Sequence, residues 1–344
     1  MNLSQYEIAR RTGLSRSTVS RALSNHPAIS ETTRRKVKEV AEKLGYKKNP
    51  LVSMLVAQLR STKTKSIQQS LTYISDQPPE ACDVSVRSTN ARYYQGVVKR
   101  ADQLGYTVDL IYRLQQGMTG QKLQRILRAR GVRGILISPR QVPLGHLSLN
   151  WKQYAVVSLV NPLPSLAVHY VSPFSFNNLG LALRVLCKYG YRRIGYAISN
   201  RTDQWANLAF SARYAIFCKD HPESASIPPL TDWGRDDADD IPSFERWFSS
   251  HRPEVIIHAG DSIPFFLKTL KIKPPKDVAT CNLILPQGDL RQAGINQLEE
   301  AVGMAAVDLL VEQLHNNELG IPLSQKAVCV QGKWVNGLTC PSKQ

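Results

Sequence analysis

Five side chains near the start of the chain have types and spacing that could do chemistry together: Arg16, Ser17, Thr18, Ser20 and Arg21. An arginine guanidinium can bond bidentately to guanine O6 and N7 in the major groove of DNA. Serine and threonine hydroxyls, with the free backbone amides of a helix start, suit phosphate oxygens. The chemistry is therefore reversible recognition of a nucleic acid. Arg16, Ser17 and Arg21 are the candidate base contacts. Ser15, Thr18, Ser20, Ser30, Thr33, Tyr46 and Asn49 are the candidate phosphate contacts.

Positioning those side chains needs a short helix held on a small core. Residues 4–23 read SQYEIARRTGLSRSTVSRAL and divide at Thr12-Gly13-Leu14. Ser4 and Glu7 have the spacing of a capping box, and Tyr6, Ile8 and Ala9 give the first helix an apolar side. Gly13 can take the positive φ that ends it. Ser15 is a good N-cap for a second helix, with Val19, Ala22 and Leu23 as its buried face. Two short helices joined by a tight glycine turn make a helix-turn-helix. The plainer alternative is an amphipathic helix pair with a solvated polar face. Ser30 caps a third helix, 31–44, with Val37, Val40, Ala41 and Leu44 as its apolar stripe and Gly45 at its end. Arg34, Arg35, Lys36 and Lys38 form a mostly solvated face.

The formal charge is +17, and residues 1–65 hold 14 Lys or Arg against 4 Asp or Glu. An electropositive end module fits a polyanion. No helix there has the bulky apolar face that membrane insertion needs, so a membrane partner is not expected. Residues 49–60, NPLVSMLVAQLR, read as a short helix: Pro50 suits its first position, and Leu51, Val52, Leu55, Val56 and Leu59 are too apolar for a free linker. The polar stretch 61–69 reads as the linker.

Beyond it strands at 71–75, 108–112, 134–138, 154–160, 194–198, 255–259 and 278–282 alternate with helices near 93–104, 121–130, 178–189, 204–220, 244–250, 262–270 and 299–316. Such alternation means parallel sheets flanked by helices, here as two α/β subdomains. The acidic run Asp236-Asp237-Ala238-Asp239-Asp240 lacks the spacing and glycine of a calcium loop and reads as a solvated surface loop. The histidines are dispersed, and no phosphate loop, dinucleotide fingerprint or nucleophile motif occurs, so no catalytic group, metal or cofactor is expected. Six scattered cysteines without a CxxC pair, no leader sequence and no apolar run of 18 residues fit a cytoplasmic protein with reduced thiols.

The segments IARRTGLSRSTVSRALS and ISETTRRKVKEVAEKLGYKKN closely resemble the LacI/GalR family of bacterial transcription regulators, whose pattern is roughly VAxxAGVSxxTVSRxLN followed by VSxxTRxxVxxAAxxLGYxPN. The resemblance continues more weakly into the core. Val98-Lys99-Arg100-Ala101-Asp102-Gln103-Leu104-Gly105-Tyr106 fits the first core helix and turn. Tyr189-Gly190-Tyr191-Arg192-Arg193-Ile194 looks like the family's HLxxxGHRRI segment, with Val185 at the His position. Pro253-Glu254-Val255-Ile256-Ile257 with Asp261 looks like PxAIxxxND, and Glu300-Ala301-Val302-Gly303 looks like the late helix.

This resemblance implies an all-α three-helix DNA-binding domain (1–48), a hinge helix and linker (49–69), and an α/β core of the periplasmic-binding-protein type (70–344). In such a core the chain passes three times between two parallel-sheet lobes, here about 70–172 with 294–318, and 173–293 with 319–340. It implies that two hinge helices pair in a homodimer and that Leu55 wedges into the minor groove. Lys48, Val52 and Ser53 depart from the family's usual Pro, Ala and Arg.

A ligand of this fold lies at the C-terminal ends of the strands. Candidate effector contacts there are Ser75, Asp76, Arg140, Asn161, Trp205, Asn207, Trp233, Asp261 and Asn282. The family's effector arginine falls at Ala206, and its GFD/GYD motif is replaced by Cys281-Asn282-Leu283, so the sugar signature is eroded. The expected function is sequence-specific transcription regulation by a repressor. It binds a near-palindromic operator as a homodimer, in the bacterial cytoplasm at the nucleoid, with a possible carbohydrate-related effector. The alternatives are an effector-independent regulator with a vestigial pocket, a solute-binding protein, and an α/β enzyme fused to a DNA-binding module.

Overall fold

The computed structural model describes residues 5–44, 46, 70–83, 88–139, 149–160, 166–233, 237–286, 288–289 and 291–343. The helix expected at 49–60 and the linker after it lie outside the described residues.

The N-terminal unit is α1 (Gln5–Thr12), α2 (Arg16–Leu23) and α3 (Glu31–Lys43). Ile8, Val19, Ala22 and Val37 meet in its centre with no exposed surface, and Leu14, Leu23, Ile29 and Tyr46 close the rim. Gly13 turns the chain at φ +71°. Glu7 accepts hydrogen bonds from Arg10 Nη2 at 2.9 Å and Arg11 Nε at 3.1 Å. Those guanidiniums, Arg11 first, hold its carboxyl below the usual range. Ser4, the other half of the expected capping box, lies outside the described residues.

The first lobe is an all-parallel six-stranded sheet. Its strands are β1 (Ser70–Ser75), β2 (Thr107–Tyr112), β3 (Gly134–Ile137), β4 (Ala155–Leu159), β5 (His169–Pro173) and, from far along the chain, β10 (Ala327–Val330), in the order β10-β5-β4-β3-β1-β2. Near-continuous burial of β1, β3 and β4 is what a sheet covered on both faces requires. Alternate residues supply the two faces. Leu71, Tyr73, Leu136 and Val157 pack under α4 (Thr89–Gln103) and α12 (Glu299–Asn316); Ile74, Ile135, Ile137 and Val156 pack against Leu123 and Leu127 of α5 (Gly120–Ala129).

The second lobe has the order β11-β9-β8-β7-β6, from β6 (Ile194–Ala197), β7 (Val255–His258), β8 (Ala279–Asn282), β9 (Ala293–Asn296) and β11 (Lys333–Val335), which runs antiparallel to β9. α6 (Ser175–Lys188) and α8 (Ala209–Lys219) cover one face, the single turn α9 (Pro222–Ala225) follows α8, and α10 (Asp237–His251) and α11 (Ser262–Thr269) cover the other face. The chain passes between sheets after β5, after β9 and after β10.

The structure corrects several expectations. β9 belongs to the second lobe although 294–318 is expected in the first, and β10 belongs to the first lobe although 319–340 is expected in the second. Both are short strands whose sheet is decided by their pairing: Ala293 with Cys281 of the preceding strand, and Ala327 with Tyr170 far earlier in the chain. The helix expected over 204–220 is two, α7 (Asn200–Trp205) and α8, because Asn207 and Leu208 take φ of 54° and 59°. Most of the acidic run is not a loop: residues 237–240 form the first turn of α10, and residue 236 lies outside the described residues.

The contact between α4 and α12 is unusually close. A Cβ on Gly96 would lie 2.0 Å from the Glu300 carbonyl oxygen, and one on Gly303 would lie 2.2 Å from that of Tyr93. Along it Arg92 donates to both carboxylate oxygens of Glu299, at 3.1 and 2.5 Å, with side chains 5% and 3% exposed. Lys99–Glu300 at 2.6 Å and Arg100–Asp308 at 2.7 Å continue the row at the surface.

His258, at the end of β7, has no exposed surface. Its Nδ1 bonds the Gly260 carbonyl at 3.1 Å, and Nε2 has no partner among the described residues. Burial pushes the imidazole down to about 4. The unfolded chain takes up a proton at this side chain near pH 6.5, and the folded chain refuses it until about pH 4. Stability is therefore full above about pH 6.5 and falls across that window, by about 3 kcal/mol in total, because the unfolded state binds more protons. Denaturant unfolding at a series of pH values is expected to show this fall in the wild type and its absence in His258→Gln. An equal slope in both would remove His258 as its source.

Candidate nucleic-acid interface

α2 begins at an N-cap that the sequence supplies. Ser15 is extended (φ −65°, ψ 151°), and its hydroxyl accepts from the Thr18 amide at 3.1 Å. The same oxygen lies 2.8 Å from the Ser17 and Thr18 hydroxyls. Ser30 repeats the arrangement at α3, with the Thr33 amide at 3.3 Å and the Thr33 hydroxyl at 2.8 Å. Such a cap stabilises a helix start by about 1 kcal/mol.

With Val19 and Ala22 turned into the core, the 100° step of the helix puts Arg16, Ser17, Ser20 and Arg21 on one exposed arc. The three candidate base contacts thus share a solvent face beside the free amides of the helix start. Of the candidate phosphate contacts, Ser15, Ser20 and Ser30 are exposed, and Thr18 and Thr33 are half-buried. Tyr46 packs on the three-helix core and its amide bonds the Ala41 carbonyl at 2.9 Å. Asn49 and Leu55 lie outside the described residues.

Two contacts escape a reading of residue types. Lys36 Nζ donates to the Thr12 carbonyl at 3.2 Å, so this lysine of the basic face closes the C-terminus of α1. Thr12, buried beside it, donates to the Ile8 carbonyl at 2.7 Å. A cation near the last turn of α1 was the only available signal, and it needed the tertiary placement of α3.

The candidate effector residues divide differently. Ser75 and Asp76 stand at the end of β1, Trp205 at the end of α7 after β6, Asp261 after β7, and Asn282 at the end of β8. All are at C-terminal strand ends or in the segments that follow them. Several are nevertheless committed to the scaffold. The buried Ser75 hydroxyl lies 2.9 Å from both the amide and the carbonyl of Gln77. Asp76 accepts from Arg113 Nε at 2.6 Å, the carboxylate buried and the guanidinium partly so.

Fully buried Asn282 accepts from the Gly260 and Ile284 amides at 3.2 and 3.0 Å and donates to Gln292 Oε1 at 3.0 Å. Trp233 belongs to the second-lobe core, edge-on to Phe266 at 5.6 Å, with Nε1 donating to the Leu230 carbonyl. Trp205 is 40% exposed, with the Arg201 guanidinium 5.4 Å over its ring. Asn207 and Asp261 are exposed as well. Arg140 and Asn161 lie outside the described residues. A cavity of about 410 Å³ opens at the end of β2, lined by Arg113, Leu114, Gln115, Met118, Thr119, Gly120 and Leu123. None of the expected effector contacts lines it. Among the described residues no group of three or more His, Cys, Asp or Glu could hold a metal ion.

Residues 5–49 match the family described as bacterial regulatory proteins, lacI family. The N-terminal unit is a lacI-family helix-turn-helix domain. The GalR regulator of Salmonella typhimurium is 25% identical over 221 residues, 62% of this chain and 59% of that protein. The chain thus spans less than two thirds of that relative's length. Among solved structures, a CelR transcriptional regulator in complex with cellobiose shares the fold at TM-score 0.59 and 17% identity, covering 98% of this chain and 100% of the other. The lac repressor dimer bound to operator and an anti-inducer does so at TM-score 0.54 and 17% identity, covering 99% and 100%. The expected architecture, a helical lacI-family domain followed by two largely parallel-sheet lobes, is therefore the one found.

Proposed function

We propose that this chain is a sequence-specific transcription regulator of the LacI/GalR type, a repressor that binds a near-palindromic operator as a homodimer. One observation carries the reading. The lacI-family domain presents Arg16, Ser17 and Arg21 together on an exposed arc whose start is capped by Ser15. Ser15, Thr18, Ser20, Ser30, Thr33, Tyr46 and Asn49 then position the duplex through its phosphates. The lac repressor of shared fold was solved as a dimer on operator, which supports the partner and the stoichiometry. The reading places the protein in the bacterial cytoplasm, at the chromosome, and makes it a binding protein, not an enzyme. Selection of duplexes from a random pool by the full chain tests it. Recovery of a near-palindrome, bound by two chains per duplex in sedimentation, is expected. Recovery of no preferred sequence would overturn the reading.

Leu55 carries a separate expectation under the same proposal. A leucine pair entering the minor groove opens one base step, at a cost of a few kcal/mol that bending must offset with new contacts. Leu55→Ala is expected to weaken operator binding and reduce DNA bending, while low-salt non-specific binding, driven by basic residues, stays nearly unchanged. A bend-sensitive binding assay with wild type and variant decides it. Full bending by Leu55→Ala removes the wedge role.

The core is proposed to take a small carbohydrate-related effector, which the cellobiose complex of similar fold supports. A second reading, regulation without an effector, is favoured by the bonding of Ser75, Asp76 and Asn282 into the scaffold. Titration calorimetry of the full chain with sugars and sugar phosphates separates the two readings.

A further inference from the structure

Residues 110–202 contain 13 Lys or Arg and not one Asp or Glu. This excess is larger than that of the DNA-binding end, and it belongs to the core. Its densest part lies on the first lobe. Lys122, Arg125 and Arg128 are exposed on α5, Arg130 and Arg133 in the turn leading to β3, and Lys152 in the turn before β4.

Topology brings the last of these to one edge. Leu71 pairs with Gly134, and Gly134 with Ala155, in strands about 4.8 Å apart. Arg133 and the turn holding Lys152 therefore sit beside Ser70, where the chain enters the sheet from the DNA-binding end. Arg128 Nε donates to Gln153 Oε1 at 3.2 Å, which fastens the end of α5 to the same edge. Arg133 Nη2 donates to Asn317 Oδ1 at 2.5 Å, and Asn317 Nδ2 in turn donates to the carbonyl of Asn25, just past α2. One side chain thus touches both the basic rim and the helix-turn-helix unit. Countercharge is sparse: Asp109 lies 3.6 Å from Arg130, and Glu318 follows Asn317.

We propose that this rim of the first lobe is a second contact for duplex DNA, gripping phosphates that flank the operator. The proposal rests on the DNA-binding reading above and extends it to the core. Guanidinium groups suit phosphate oxygens, and such contacts carry no sequence information, so they add affinity and salt dependence. The chemistry fits a duplex better than its rivals. Leu123 and Leu127 of α5 are buried under the sheet, which leaves no apolar face for a membrane. No exposed aromatic residue interleaves the basic side chains, as stacking on single strands would need.

The test uses the full chain, a duplex selected by it from a random pool, and two lengths of that duplex, one ending at the operator and one extended by about a turn and a half of helix (~15 base pairs) on each side. Affinity is measured across a salt series for wild type, for Arg128→Gln/Arg133→Gln/Lys152→Gln, and for a second-lobe variant with the same change in charge, Arg184→Gln/Lys188→Gln/Arg192→Gln. On the long duplex the rim variant is expected to lower the slope of log affinity against log salt by about 1–3 per protomer, hence about 2–6 for the dimer, near 0.9 for each phosphate that is no longer neutralised. On the short duplex it should match wild type, and the second-lobe variant should match wild type on both. Equal behaviour of wild type and rim variant on both lengths overturns the proposal. So does an equal drop in the two triple variants, which would be an effect of net charge alone. Failure of wild type to select any duplex would instead sink the underlying DNA-binding reading.

Discussion

Arg16→Ala and Arg21→Ala are each expected to weaken operator binding by about 1–3 kcal/mol per protomer, hence about 2–6 kcal/mol for a dimer on two half-sites. Both side chains are exposed on α2, on the arc opposite Val19 and Ala22. Truncation therefore removes an exposed guanidinium without disturbing the core. The informative result is the pattern across operator variants. A base reader loses its preference at one position per half-site, while affinity for unrelated DNA changes little. A loss that is uniform over all sequences and lowers the salt slope would make the residue a phosphate contact instead. Binding titrations against single-base operator variants give both readouts.

The second large effect is expected far from any DNA. Glu299→Ala should destabilise the core by about 3–5 kcal/mol, because it leaves the Arg92 guanidinium buried and unpaired. Arg92 already has Nη1 without a hydrogen bond among the described residues, so the carboxylate is its main compensation. The pair is weak evidence of net stabilisation, since apolar replacement of a buried ion pair is often neutral. The double variant Arg92→Met/Glu299→Leu is accordingly expected to recover most of the stability. Chemical denaturation of the two single variants and the double completes the cycle. If Glu299→Ala costs less than about 1 kcal/mol, water or a rearranged side chain is solvating Arg92.

The seven strands anticipated from apolar runs are all present: six of the runs are buried, and the seventh, β2, is a half-buried edge. The strands that escaped notice carry weak local signals. β5 ends in Pro173, β9 is Ala-Gly-Ile-Asn, β11 has three residues, and β10 alternates exposed and half-buried side chains. β5 and β10 are placed by each other across more than a hundred residues, and β11 is a sheet edge held by β9. In the N-terminal helical unit the relevant information is local: caps, a turn glycine and a helical stripe lie within twenty residues, so α1, α2 and their exposed arc were legible. The bonding of the candidate effector residues was not. Trp233 and Asn282 have the residue types of a ligand site, but their hydrogen bonds are satisfied by Leu230, Gly260, Ile284 and Gln292. Whether a polar side chain is free or already bonded depends on the loop folded over it, which no spacing rule reports.

The last pairings of both sheets are made by one short stretch, with β10 seated on β5 and β11 on β9 only a few residues later. During synthesis neither lobe can close its sheet until residues 327–335 have left the ribosome. Until then the paired edge of β5, including the Phe174 amide that later bonds the Val330 carbonyl, stands open. An unpaired strand edge in a partly folded chain is a template for wrong association. The two lobes are thus expected to mature together and late, so that chains stalled or clipped before Ala327 are substrates for chaperones and proteases.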